Sequence, residues 1–243
     1  MTEAIIEAKN VSKNLGSGAG QVTALKDVNL SLRGGELTML MGPSGSGKTT
    51  LLSVLGCMLA PTSGMVQVCG ISSEGANVEQ LATLRREHVG FVFQQYHLFP
   101  TLTAAENVQL ALDLRGERGT KAKSRSFDAL AKLGLAQKIL SYPRELSGGE
   151  QQRVAIARAI VSDPSAILAD EPTAALDGVN GQAIMRILAS IAKASGRGVL
   201  VVTHDSRLTS FANRIIYIED GRLVGEEIVN AGTPKLLTAA SGR

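Results

Sequence analysis

Apolar positions recur every second residue near the start of the chain. Val28, Leu30 and Leu32 alternate with polar neighbours inside 22–32, which puts them on one face of a half-buried antiparallel strand. Residues 3–9 read as another strand, and the glycine-rich 16–20 between the two as a loop. The run 37–41 is apolar but for Thr38 and reads as a buried strand, with a helix starting at 49–55. A turn at 61–64 leads into a strand at 65–69, 79–87 looks helical, and 89–93 is a strand. From 94 to about 161 the two-residue period gives way to helical spacing at 104–114, 124–133 and 148–161, broken at 116–119 and at Tyr142-Pro143. Strands return at 166–169, 199–202 and 215–218, with a helix at 180–194. Asp220-Gly221 signals a hairpin leading to Leu223 and Val224.

Strands that alternate with helices imply a mostly parallel sheet covered on both faces, an α/β core carrying a helical insert. We expect one domain over 1–243. Its core is 1–93 with 162–229, its helical subdomain 94–161, and its C-terminal tail 230–243. Of the 243 residues, 44% are hydrophobic and 19% charged, the usual balance of a globular protein. A net charge of +3, with both signs interspersed, gives no reason to expect nucleic acid as a partner. The two cysteines, Cys57 and Cys69, lack C-x-x-C spacing, so a reduced setting without a disulfide framework is expected. The first residues show no basic, apolar secretory pattern. No stretch reaches the roughly 20 apolar residues of a membrane span. Service to a membrane would have to pass through a partner.

Chemistry enters at Gly42-Pro43-Ser44-Gly45-Ser46-Gly47-Lys48-Thr49, which fits G-x-x-x-x-G-K-[ST] between a strand and a helix. Its glycines let backbone N–H groups turn toward an anion, and the helix N-terminus adds free donors and a positive dipole end. Lys48 is expected to reach the β- and γ-phosphates of a nucleoside triphosphate, and the Thr49 hydroxyl to ligate Mg²⁺, with Thr50 beside it. A second signal is the apolar run 166–169 ending in Asp170 and Glu171. Ligands of α/β sheets lie beyond the carboxyl ends of the strands, so Asp170 is placed to hold Mg²⁺, through a water. Neighbouring strand residues point to opposite sides, so Glu171 is free to polarise an attacking water. Alone, the pair could be an acidic turn. The third signal is Leu146-Ser147-Gly148-Gly149-Glu150-Gln151. Ser147 and Glu150 have capping-box spacing, and the bare glycines offer a second anion site at a helix start, although S-x-x-E also opens ordinary helices.

This third stretch resembles the signature motif of the ATP-binding subunits of ABC transporters, and the likeness extends from about residue 3 to 228. Gln94 matches that family's Q-loop glutamine. Ala174-Ala175-Leu176-Asp177 matches its D-loop, with Ala174 where serine is usual, and His204 matches its switch histidine. Singly, each of these also reads as a strand end, a turn or a cap. The resemblance implies that two copies face each other head to tail around ATP and Mg²⁺. Ser147, Gly148 and Gly149 of one copy would cover nucleotide on the other's phosphate loop, and Asp177 would act across the dimer. Gln94 would sense the γ-phosphate, touch the metal and report to the helical insert. His204 would act beside Glu171. One departure is Leu15, which stands where an aromatic residue usually stacks on adenine. This implies weaker adenine contact, or looser discrimination of ATP from GTP.

Within the family, 42–52, 142–146, 99–108 and the short C-terminus look most like the lipoprotein-release and macrolide-efflux group. That likeness implies an integral-membrane permease partner at the cytoplasmic face of the inner or plasma membrane, an adaptor beyond it, and efflux or extraction of a hydrophobic or lipid-linked substrate. The groove for the permease would lie near 94–100 and 104–107. An importer ATPase for amino acids or similar solutes, and a regulator of cell-wall or division enzymes, are the alternatives.

Overall fold

The computed structural model of the chain describes residues 4–230 and 233–237. Eleven strands and six α-helices are seen among them. An antiparallel sheet in the order β2-β1-β4-β5 is made of β1 (Ala4–Leu15), β2 (Val22–Arg33), β4 (Ser63–Val68) and β5 (Ile71–Ser72). A second sheet has the order β11-β10-β9-β3-β8-β7-β6. Its parallel part is β9 (Arg214–Glu219), β3 (Leu37–Met41), β8 (Gly198–Val202), β7 (Ala166–Asp170) and β6 (Val89–Val92). The strands β10 (Arg222–Asn230) and β11 (Thr233–Leu237) extend it antiparallel. The helices are α1 (Lys48–Leu55), α2 (Val78–His88), α3 (Ala104–Asp113), α4 (Gly119–Lys132), α5 (Gly148–Ile160) and α6 (Gly178–Ser195).

The two-residue strand period divides the core. Leu40, Leu168, Leu200, Val202 and Ile216 face α1 and the antiparallel sheet, where Ile6, Leu25 and Leu32 are also buried. Their immediate neighbours Met39, Ile167, Ala169, Val199, Val201 and Ile215 face the other way, onto Ile184, Met185 and Leu188 of α6. The helical insert packs around Val108, Leu112, Leu130 and Val154 of α3, α4 and α5. Helix α5 serves two cores, because Ile156 and Ala159 sit with the α6 side of the sheet.

The expected α/β fold with a mostly parallel sheet, an antiparallel part and a helical insert is what the chain forms. Boundaries differ for local reasons. The first strand runs past residue 9 to Leu15, because its register against β2 shifts between Ala8 and Val11, at Asn10 with φ 50°. That irregularity breaks the alternation from which a strand is read. Helix α4 starts at Gly119, inside the expected break, and α6 starts at Gly178 behind an Asp177 cap. Strand β5 is two residues long and was not expected. The expected tail carries strand β11, while 231–232 and 238–243 lie outside the described residues, as does Glu3 of the first expected strand.

Candidate functional site

The loop after β3 is shaped by close approach. A Cβ on Gly42 would lie 2.1 Å from the Ile218 carbonyl of β9, and one on Gly47 would lie 2.6 Å from the Ala24 carbonyl of β2. Gly47 also has φ 101°, and as the N-cap of α1 it supplies no side-chain cap. The first N–H groups of α1 are therefore left for an external anion. Lys48 folds over the loop and donates to the Gly42 and Pro43 carbonyls at 2.9 and 2.7 Å.

Across the loop, β7 ends in Asp170 and Glu171. Burial pushes the Asp170 carboxyl above the usual aspartate range, and the neighbouring Glu171 charge adds to that. The Thr49 hydroxyl and the Lys48 ammonium pull it back. Asp170 Oδ1 is buried with no hydrogen-bond partner. An orphaned carboxylate oxygen beside a threonine hydroxyl is a donor set that suits a hard, oxygen-seeking cation. Among the described residues no cluster of three His, Cys, Asp or Glu could hold a metal by itself. Any such ion would need ligand oxygens as well.

Glu171 has φ 46° and donates its N–H to the Val202 carbonyl of β8 at 2.9 Å. The turn away from β7 aims its side chain at His204, whose Nδ1 lies 2.7 Å from Glu171 Oε1. Lys48, Thr49, Thr50, Gln94, Asp170, Glu171 and His204 line one cleft of about 840 Å³, together with Ser44, Gly45 and Gly47. One volume thus holds an anion cradle, a cation, two carboxylates and an imidazole, the parts of phosphoryl transfer to water.

The sequence reading missed part of this cleft. Val22, Thr23, Ala24 and Lys26 of β2, with Asp220 and Gly221, complete its wall. The Asp220-Gly221 turn was legible, but its location was not. Gly221 donates to the Ser46 carbonyl at 3.0 Å and accepts from Lys26 N–H at 2.8 Å, long-range contacts that no local signal carries. Leu15 lines the mouth 39% exposed, and its register partner Val22 is 63% exposed. An aliphatic pair stands where an aromatic ring could have stacked.

Other expected residues lie elsewhere. Ser147, Gly148 and Gly149 open α5 and do not line the cleft. The capping box is present: Glu150 N–H donates to Ser147 Oγ at 3.3 Å, and Ser147 N–H to Glu150 Oε2 at 2.8 Å. A Cβ on Gly148 would lie 2.9 Å from the Tyr96 hydroxyl, and one on Gly149 would lie 3.0 Å from Asn180 Oδ1. Asp177 caps α6, with Asn180 donating its N–H and side-chain amide at 2.9 and 2.7 Å, and these bonds hold its carboxyl below the usual range. It lines a neighbouring cavity that Glu171 and His204 also border. Of the residues expected near a permease groove, 94–100 are mostly exposed and 104–107 mostly buried. Ala104, Ala105 and Asn107 are buried. Phe93, His97 and Phe99 line a groove with Ala111, near the end of α3, and Leu114, just past it.

Among known protein families, residues 25–174 match the one described as ABC transporter. The chain is 43% identical over 228 residues to the macrolide export ATP-binding/permease protein MacB of Burkholderia pseudomallei, covering 94% of this chain and 35% of that protein. It is 44% identical over 227 residues to the uncharacterized ABC transporter ATP-binding protein MJ0796 of Methanocaldococcus jannaschii, covering 92% of this chain and 97% of that one. The solved dimeric post-hydrolysis state of the cassette MJ0796, bound to ADP and Pi, superposes with a TM-score of 0.85 at 43% identity. That likeness covers 93% of this chain and 99% of the other.

Proposed function

The chain belongs to the ABC transporter family as an ATP-hydrolysing cassette of the MacB and MJ0796 type, and from that premise we propose that two copies close around ATP to drive a membrane permease. The observation that carries the reading is the single cleft holding Lys48, Thr49, Gln94, Asp170, Glu171 and His204. Lys48 exchanges the Gly42 and Pro43 carbonyls for phosphate oxygens. Thr49 and Asp170 hold Mg²⁺, with the amide oxygen of Gln94 as a further hard donor. Bound there, the ion neutralises phosphate charge as it develops in the transition state. Glu171 orients and polarises the attacking water, and His204 steadies it and the γ-phosphate. Their 2.7 Å contact supports this pairing.

The α5 start does not line its own cleft, which supports a role on a second copy: Ser147, Gly148 and Gly149 cover the partner's nucleotide, and Asp177 acts across the same interface. The dimer of MJ0796 supports that arrangement. No helix among the described residues is long and apolar enough to cross a membrane. The likeness to transporter ATP-binding proteins supports action at the cytoplasmic face, through a permease. The groove with Phe99 and Leu114, 54% and 72% exposed, receives a cytoplasmic segment of that permease. MacB is named a macrolide exporter, and the likeness supports efflux or extraction of a hydrophobic or lipid-linked substrate, with an adaptor beyond the membrane.

Glu171→Gln is the decisive variant. It is expected to bind ATP, form a stable dimer and hydrolyse about a hundredfold more slowly or worse, within the 10²–10⁴ range of general base catalysis. Brisk hydrolysis refutes the role of Glu171, and a variant that stays monomeric with ATP refutes the sandwich.

A further inference from the structure

Gln94 follows β6 on an exposed segment, and its position depends on what fixes the residues after it. Those residues are unusual. Tyr96 and His97 have φ of 58° and 46°, two consecutive side-chain-bearing residues in the left-handed region. Such a conformation persists only where surrounding contacts impose it. Two contacts come from one side chain on α5. Arg158 donates through Nη2 to the Tyr96 carbonyl at 2.7 Å and through Nη1 to the His97 carbonyl at 2.6 Å. Burial lowers the Arg158 pKa, and no carboxylate pairs with it among the described residues. Those carbonyls are the polar partners its charge has.

The same loop touches α5 again at its start, where the Tyr96 hydroxyl occupies the space a Cβ on Gly148 would crowd at 2.9 Å. Gly148 and Arg158 are ten residues apart, about 15 Å along a helix. The loop is therefore held to α5 at both the exposed start and a point nearly three turns on. On its other side the loop leans on the core. The His97 ring stacks on Phe93 at 4.8 Å, and Phe93 on Phe91 at 5.7 Å. Phe91 fills the space beside Gly56 at the end of α1, where a Cβ would come within 2.0 Å of the ring.

We infer that Arg158 is a positioning residue: with Tyr96 it makes the segment after Gln94 and helix α5 move as one body, so that the phosphate sensed in one copy's cleft sets the angle of the α5 start offered to the other. This deepens the sandwich reading and rests on it. The guanidinium fork suits the task because it meets two carbonyls at once, which a lysine ammonium does less well.

The test compares Arg158→Met and Arg158→Lys in the Glu171→Gln background. Affinity for a fluorescent ADP analogue reports the phosphate loop alone, and ATP-driven dimerisation by light scattering reports the α5 angle. ADP affinity is expected to stay within about twofold, while the ATP needed for half-dimerisation rises by at least about fivefold in Arg158→Met, the range of a site-to-site coupling. Arg158→Lys is expected to fall between. Should Arg158→Met not fold, Arg158→Lys decides on the same two readouts. Dimerisation matching the parent, or ADP binding lost in proportion to dimerisation, overturns the inference. A Glu171→Gln parent that fails to dimerise with ATP overturns the reading beneath it instead.

Discussion

Asp170 carries a cost at the residue scale that its function explains. Its carboxylate is buried, one oxygen has no partner, and its pKa is raised. A carboxyl with a raised folded pKa contributes stability that is fully present below the ordinary aspartate value and lost as pH rises through the folded value. At neutral pH the charge therefore weighs against the empty fold. Asp170→Asn should raise the stability of nucleotide-free protein by about 1 kcal/mol, the scale of an unpaired buried polar group, and flatten its pH dependence. It should also remove the extra stabilisation that Mg²⁺ adds to nucleotide. Thermal melts of both forms across pH check this, and an unchanged Mg²⁺ increment counts against Asp170 as a ligand. At the cleft mouth, Leu15→Tyr should place a ring where Leu15 and Val22 now offer aliphatic carbon. Stacking on an aromatic is worth about 1–3 kcal/mol in single-stranded nucleic-acid sites, so nucleotide should bind at least about fivefold more tightly. Competition titrations with ATP and GTP, before and after the change, measure how far the parent discriminates between them.

Elements here are fixed by small side chains at their ends as much as by apolar faces. The spacings Thr103–Glu106 and Ser147–Glu150 both form capping boxes, and both can be read from a four-residue window. Asn107 cannot. It is fully buried, accepts from Phe99 N–H at 2.7 Å, and donates to the carbonyls of Phe99, Leu102 and Thr103. It pins the turn before α3 rather than lining a surface groove. Asn107→Leu should lower stability by about 1–3 kcal/mol, because the part-buried Phe99 N–H loses its acceptor and three carbonyls lose their donor. Urea unfolding measures this, and a loss near zero means the turn relaxes to reach water. Strand β1 shows the complementary limit. Its bulge at Asn10 hides half its length from a two-residue pattern, because alternation is a signal only where register is unbroken.

At the scale of the whole molecule, one site offers a cleft with catalytic side chains, and the α5 start, outside that cleft, offers glycine backbone. Neither completes the other within the chain. Ser147→Arg should leave nucleotide affinity of the single copy intact, yet abolish ATP-driven dimerisation and cut turnover by about a hundredfold, the loss expected when transition-state donors are withdrawn. Normal dimerisation of this variant refutes the trans site. Arg158, eleven residues beyond Ser147 along α5, is where we expect the two sites to communicate.

The sequence by itself determined the fold class and the chemical groups. Strand and helix periods are local, and the phosphate loop, the Asp170-Glu171 pair and the Ser147 cap are each written within a few consecutive residues. Proximity of Gln94 and His204 to the loop was legible only through resemblance to a known family. Tertiary structure alone decided that β2 and the Asp220-Gly221 hairpin wall the cleft, that Asn107 is a buried pin, and that Arg158 grips the segment after Gln94. Asn107 reaches only four to eight residues back, with a side chain whose burial no local pattern announces, while the Arg158 grip and the cleft wall join residues tens of positions apart. Their partners are chosen by how sheets and helices stack, and stacking leaves no periodic trace along the chain.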